Sequence, residues 1–123
     1  MKEVTPEAVR MLMEIGMMAA NNGMHKQAFE IFDGIEAARP DAEYGPLGVA
    51  LIHMNLGEYD QAVPVLKEGA LQRNPESAES KMFLALALRL ADRAGECDQV
   101  VKELQESGDE LSGNFAAGLV GEA

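Results

Sequence analysis

The sequence predicts an all-α, right-handed stack of helical hairpins, about three repeats long with a C-terminal capping helix, and three observations lead there. A spaced pattern occurs twice: Gly23, Ala28 and Phe32, then Gly57, Ala62 and Leu66 after a period of 34 residues. Such a period marks a unit that buries its apolar face only by stacking on its neighbours. Ala, Leu, Met and Glu dominate while Thr, Tyr and Ile are sparse, a composition that favours helices and predicts no strands. At 123 residues the chain suits one domain, 1–123, and about three hairpins are the smallest array that encloses a continuous core.

The first helix is expected to start at Pro6, with Thr5 as its cap and Pro6 in the first helical position, where a missing N–H costs nothing. Leu12-x2-Ile15-Gly16-x2-Ala19, then Gly23, Ala28-x3-Phe32, Ile35 and Pro40, make up the first copy. Gly16 and Ala28 are small because two antiparallel helices must approach closely there, and Phe32 fills the space toward the next hairpin. Gly23 lies between the helices, where a left-handed backbone is wanted. Pro40 ends the second helix. This run resembles the tetratricopeptide pattern, with Leu for its Trp and Ala for its Tyr.

The second copy reads Leu47, Val49, Ala50, Gly57-Glu58-Tyr59-Asp60-Gln61-Ala62, Leu66 and Asn74-Pro75. Gly57 to Pro75 is one residue longer than Gly23 to Pro40, so the register slips late in the fourth helix. Pro64 falls inside that helix, near enough to its start that its missing N–H is expected to be one of the first-turn donors without a partner, at the cost of a slight kink.

The third copy looks degenerate. An apolar helix centred on Met82 to Leu88 precedes Gly95, which reads as the turn and lengthens the fifth helix by about one turn before Val100, Val101 and Leu104. The tail carries Leu111, Phe115, Leu119 and Val120 at helical spacing, suited to capping the last hairpin, with occupancy of the groove as the alternative. The expected helices therefore span about 6–22, 25–38, 43–56, 59–73, 77–94 and 97–107, with a seventh over about 109–120. The repeats span about 9–40, 43–75 and 77–107, and the C-terminal segment 108–123.

The net charge of −11, about −4 over residues 1–57 and −7 over the rest, leaves no basic stripe for phosphates and argues against nucleic acid. The charge suits a soluble protein or a basic partner. The longest apolar run, Met82 to Leu88, is too short to span a bilayer, and the start lacks the order of a signal peptide. A single cysteine cannot form an internal disulfide, which fits a reducing cytoplasm.

Little in the sequence suggests chemistry. His25, His53 and Cys97 match no metal spacing, and no phosphate loop, nucleophile elbow or metalloprotease motif occurs. His25 is expected to face solvent, His53 to pack in the core, and Cys97 to sit at the start of the sixth helix, where a thiol is somewhat acidified. No enzyme activity, metal or cofactor is expected.

In a stacked array the first helix of each hairpin lines a concave groove, and residues four apart share a face. This places Met13, Met17 and Ala20 in the groove from the first hairpin, Leu47, Leu51, Met54 and Asn55 from the second, and Met82, Ala85 and Arg89 from the third. With eight Met in the chain, some must instead pack in the core. A Met-rich wall suits an apolar helix or strand of variable shape, because Met repacks easily.

Two good hairpins and a weaker third, marked by Ile15-Gly16, Gly23, Ala28-x3-Phe32-Asp33-Gly34-Ile35, Arg39-Pro40-Asp41 and Gly57-Glu58-Tyr59 to Leu66, resemble the small tetratricopeptide chaperones of bacterial type III secretion. The resemblance implies a cytoplasmic, non-enzymatic protein whose groove holds an apolar segment of a secreted subunit and prevents its premature polymerisation. A homodimer or a co-chaperone is compatible with it, and a general adaptor is the alternative reading.

Overall fold

In the computed structural model residues 5–107 are described, and all regular structure among them is helical. The helices are α1 (Pro6–Asn21), α2 (His25–Ala38), α3 (Tyr44–Asn55), α4 (residues 59–73), α5 (Ala78–Leu90) and α6 (Ala94–Glu106). Neighbours in sequence pack as hairpins α1–α2, α3–α4 and α5–α6, and the hairpins stack through α2 on α3 and α4 on α5. The fold is thus a tetratricopeptide-like stack of helical hairpins. The expected helix over 109–120, with Leu111, Phe115, Leu119 and Val120, lies outside the described residues.

Local chemistry sets the boundaries. Thr5 Oγ1 accepts a hydrogen bond from the Ala8 N–H at 3.1 Å, and Pro6 is the first helical residue, as anticipated. The turns inside the three hairpins repeat one set of bonds. The N–H groups of Met24, Glu58 and Arg93 reach back to the carbonyls of Ala19, His53 and Leu88 at 2.8, 2.8 and 2.9 Å. Those of Gly23, Gly57 and Asp92 bond Ala20, Met54 and Arg89 at 3.1 Å each, completing the Schellman arrangement three times.

These turns correct the reading of the third repeat. The left-handed residue there is Asp92, at φ 64°, in the place of Gly23 and Gly57, both at φ 77°. Asp tolerates this region better than most residues. The fifth helix therefore ends at Leu90, not 94, and the sixth begins at Ala94, with Gly95 inside it. Cys97 falls five residues after the turn, where Ala28 and Ala62 fall in the earlier hairpins, and Val101 takes the place of Phe32 and Leu66. All six are buried. The third hairpin is in register; its turn simply lacks glycine.

The late slip of the second repeat also has a physical form. Helix α4 begins as an α-helix, Tyr59–Pro64, widens to π geometry over Val65–Ala70 and closes with Leu71–Arg73. One extra residue between Gly57 and Pro75 is absorbed inside the helix, as π-turns do. Pro64 is the sixth helical residue, beyond the first-turn donors, so the expected reason for its tolerance does not hold. It removes the bond an ordinary residue would donate to the Asp60 carbonyl, immediately before the helix widens.

Phe32 joins the first two hairpins. A Cβ on Gly16 would stand 2.5 Å from Phe32 Cε1, and a Cβ on Gly48 would overlap the same ring, which is fully buried. The ring thus presses on backbone in α1 and in α3. Polar links reinforce the stacking. Arg73 makes a two-pronged bond to Glu36, at 2.6 and 3.0 Å, and donates to the Ala42 carbonyl at 3.0 Å. Arg93 grips Glu96 at 2.6 and 2.9 Å, and Lys67 on α4 reaches the same carboxylate at 3.2 Å. Arg93 first and Lys67 second hold the Glu96 carboxyl down at about 2.

Two outcomes test this packing. Gly16→Ala drives a methyl into the buried Phe32 ring and should cost about 1–3 kcal/mol in urea unfolding. Gly34→Ala, at an exposed helical position with open space around it, should instead stabilise by about 0.5–1 kcal/mol. Glu96→Gln should lower the melting temperature at neutral pH. Because the folded pKa lies below the unfolded one, this deficit is complete above the ordinary carboxylate range and should vanish as the pH falls toward about 2.

Candidate functional site

Aligning the turns Gly23, Gly57 and Asp92 puts the first helices in one register. Ladders of equivalent residues then run across α1, α3 and α5: Arg10, Tyr44 and Glu79; Met13, Leu47 and Met82; Met17, Leu51 and Leu86; Ala20, Met54 and Arg89. A direct bond supports the alignment, since Asn55 Nδ2 donates to Oδ1 of its equivalent, Asn21, at 2.9 Å. A cavity of about 380 Å³ opens between the three helices, lined by Pro6, Arg10, Met13, Glu14, Met17, Tyr44 and Glu79.

The structure divides the predicted groove residues into two sets. Met17, Met54 and Met82 are half-buried and Asn55 and Arg89 exposed, so these five offer surface on the first helices. Met13, Ala20, Leu47, Leu51 and Ala85 are buried, and all but Leu51 belong to the continuous apolar core. They form packing beneath the groove; Met13 still closes the cavity floor. The split does not follow ladder position, since Met13 and Leu47 are buried where their equivalent Met82 offers surface, and Ala20 is buried where Met54 and Arg89 are not; side-chain length and the local neighbours decide it. Ala85 is a register error, because its equivalents are Gly16 and Ala50 at the close helix crossing. Leu86, half-buried, holds the ladder position of Met17 and Leu51.

Sequence reasoning missed the polar end of the cavity. Arg10, Glu14, Tyr44 and Glu79 surround it, and the signal was available in the ladder position that Arg10, Tyr44 and Glu79 share. Burial pushes the Glu79 carboxyl up; the neighbouring Glu43 adds to this and Arg10 opposes it. Glu43 is itself buried, accepting a 2.7 Å bond from Ser77 Oγ. The groove therefore combines a thioether and aliphatic strip with one carboxylate-rich end.

His53 is not a core residue. It is half-buried, and its Nδ1 lies 2.8 Å from Glu58 Oε1, bracing the turn at Gly57. His25 is half-buried at the start of α2. Cys97 lies inside α6 and is buried, so its thiol is not acidified: burial first, and Asp98 second, push it up, against a smaller opposing effect of Arg89. Among the described residues no three of His, Cys, Asp and Glu are gathered as a metal site would require. No helix among them is long and apolar enough to cross a membrane. A thiol in this state should react slowly with Ellman's reagent in the native protein and at a free-cysteine rate only in denaturant. A fast native reaction would contradict the burial of Cys97.

Comparison with known proteins agrees with the geometry. A family model described as tetratricopeptide repeat matches residues 48–96, from within α3 through the turn at Asp92 into α6. No curated protein and no solved structure matches the chain. The matched segment covers the second hairpin's turn, its π-widened helix, and the first helix and turn of the third hairpin, ending three residues into α6. Repeats of this type are typically modules of protein–protein interaction.

Proposed function

We propose that the protein is a single-domain, non-enzymatic binding module that holds an apolar segment of another protein against α1, α3 and α5. The observation that carries this reading is the strip of half-buried Met17, Met54, Met82 and Leu86 on consecutive first helices. Four such anchors contribute roughly 6–12 kcal/mol gross, at about 1.5–3 kcal/mol each, against an association cost of roughly 4 kcal/mol or more. Useful affinity follows if most anchors find apolar partners. The flexible thioethers let the strip fit more than one shape.

Within this class the reading is a cytoplasmic chaperone that sequesters an apolar helix of a secreted subunit of a type III system. Its support is the resemblance of the repeat array, together with the apolar strip that crosses three consecutive first helices. An adaptor in a cellular complex would use the same strip, and identification of the bound protein by co-purification and mass spectrometry separates the two.

Leu86→Glu places a carboxylate on the strip at a side chain outside the apolar core, and Met54→Glu does so at one packed against the core's edge. Binding of the co-purified partner should weaken by about 100-fold or more, with the thermal unfolding curve little changed. Asp98→Lys, on the exposed side of α6, should leave binding intact. If high salt abolishes binding while the Met54 and Leu86 variants bind normally, the acidic surface is the working site and the proposal fails.

A further inference from the structure

In stacked repeats one side of each first helix receives the second helix of the hairpin before it. On α3 this side is Gly45, Gly48, Val49 and Ile52: Gly45 lies under Glu36, Gly48 lies under the Phe32 ring, and Ile52 is fully buried. On α5 the equivalent residues are Ser80, Phe83, Leu84 and Ala87, of which Ser80, Leu84 and Ala87 are buried. On α1 the same positions hold Met11, Glu14, Ile15 and Met18. Here no hairpin precedes them in the described chain, and Met11, Ile15 and Met18 are 60%, 48% and 64% exposed. Spaced i, i+4 and i+7, they form one apolar stripe.

We propose that this face of α1 docks a helix of a different protein, seated as the second helix of a preceding hairpin would be. The site is distinct from the strip of the proposed function, since Met17, Met54 and Leu86 take no part in it, and the two share only Glu14, which also lines the cavity. Continuity with the two hairpin interfaces already in the stack defines the pose. The side chains define the occupant. On α3 the receiving face is a slot made by two glycines, and α2 fills it with Phe32. On α1 the slot is replaced by a ridge, with Met11 standing for Gly45 and Glu14 for Gly48. The docked helix therefore presents small residues, Ala, Ser or Gly, toward Met11 and Ile15, and a Lys or Arg toward Glu14, which is exposed and has no ion-pair partner among the described residues. A second copy fits poorly: it brings another Glu7, another Glu14 and a further charge of −11 to the same patch. The chain's own residues 108–123 carry Asp109, Glu110 and Glu122 and no Lys or Arg that could pair with Glu14.

The test uses the full chain and a fluorescein-labelled helical peptide of about 20 residues, Ala along one stripe and Lys beside it, with Glu in place of Lys in the control peptide. Fluorescence anisotropy should show saturable binding of the Lys peptide, weakened at least about tenfold by Met11→Gln/Met18→Gln. Both methionines are more than half exposed, so that variant should keep the parent's melting curve. Glu14→Lys should shift preference to the Glu peptide, and Met54→Glu should bind the Lys peptide as the parent does. The proposal is overturned if the parent does not bind the Lys peptide, or if Met11→Gln/Met18→Gln binds it equally well. It is also overturned if Asp98→Lys weakens binding as much as Glu14→Lys does, which would mean general attraction to an acidic surface. Sedimentation showing a parent dimer that Met11→Gln/Met18→Gln converts to monomer would assign the stripe to a second copy instead.

Discussion

The stack depends on one aromatic ring held between two stretches of bare backbone. Phe32 reaches α1 at Gly16 and α3 at Gly48, so it sets both the separation of the first two helices and the approach of the second hairpin. Neither contact survives a Cβ without movement of a side chain that has nowhere to go. Further along, the complementarity is kept in altered form. The position of Gly16 becomes Ala50 and then Ala85, while that of Phe32 becomes Leu66 and then Val101, all buried. From the first hairpin to the second the small partner gains a methyl as the large one loses volume, a size-compensating exchange of the kind that packed cores tolerate best.

Polar links work around this core. Arg73 ties the end of α4 to Glu36 on α2 and to the loop at Ala42, while Arg93 and Lys67 converge on Glu96 between the second and third hairpins. Lys81 and Glu103 pair across α5 and α6 at 3.6 Å. Partly exposed pairs of this kind each contribute little stability. Their placement matters more: three of the few cations in an acidic chain span the hairpin junctions, where they offset the repulsion between stacked carboxylates.

The first helix presents two separate surfaces because it ends the described stack. One side faces α2 and α3 and is buried like that of any repeat; another contributes Arg10, Met13, Glu14 and Met17 to the cavity shared with Tyr44 and Glu79. The stripe of Met11, Ile15 and Met18 belongs to neither. Thioethers recur on both exposed surfaces, which gives each an apolar contact that adapts to its partner at small conformational cost.

Much of the fold was legible in the sequence. The spacing of Gly23, Ala28 and Phe32, repeated at Gly57, Ala62 and Leu66, determined the hairpin unit and its period, and Thr5-Pro6 determined where α1 starts, because turn geometry, close crossings and helix caps each demand particular residues locally. The third hairpin was hidden because Asp92 does the work of glycine at φ 64°, and backbone conformation, not composition, reveals it. The π-turn over Val65–Ala70 was visible only as one surplus residue, since a local count cannot say whether a loop or a helix absorbs it. For the candidate groove, the sequence did not separate surface from core: of the residues it grouped, Met17, Met54 and Met82 offer surface while Met13, Leu47 and Leu51 are buried. Leu51 and Leu86 hold equivalent positions, yet one is buried and the other half-buried, a difference set by the neighbours that the stack brings to each and invisible in the local pattern. Local patterning therefore determined the elements and their order, while burial, and with it every available binding surface, was decided by the packing of hairpin on hairpin.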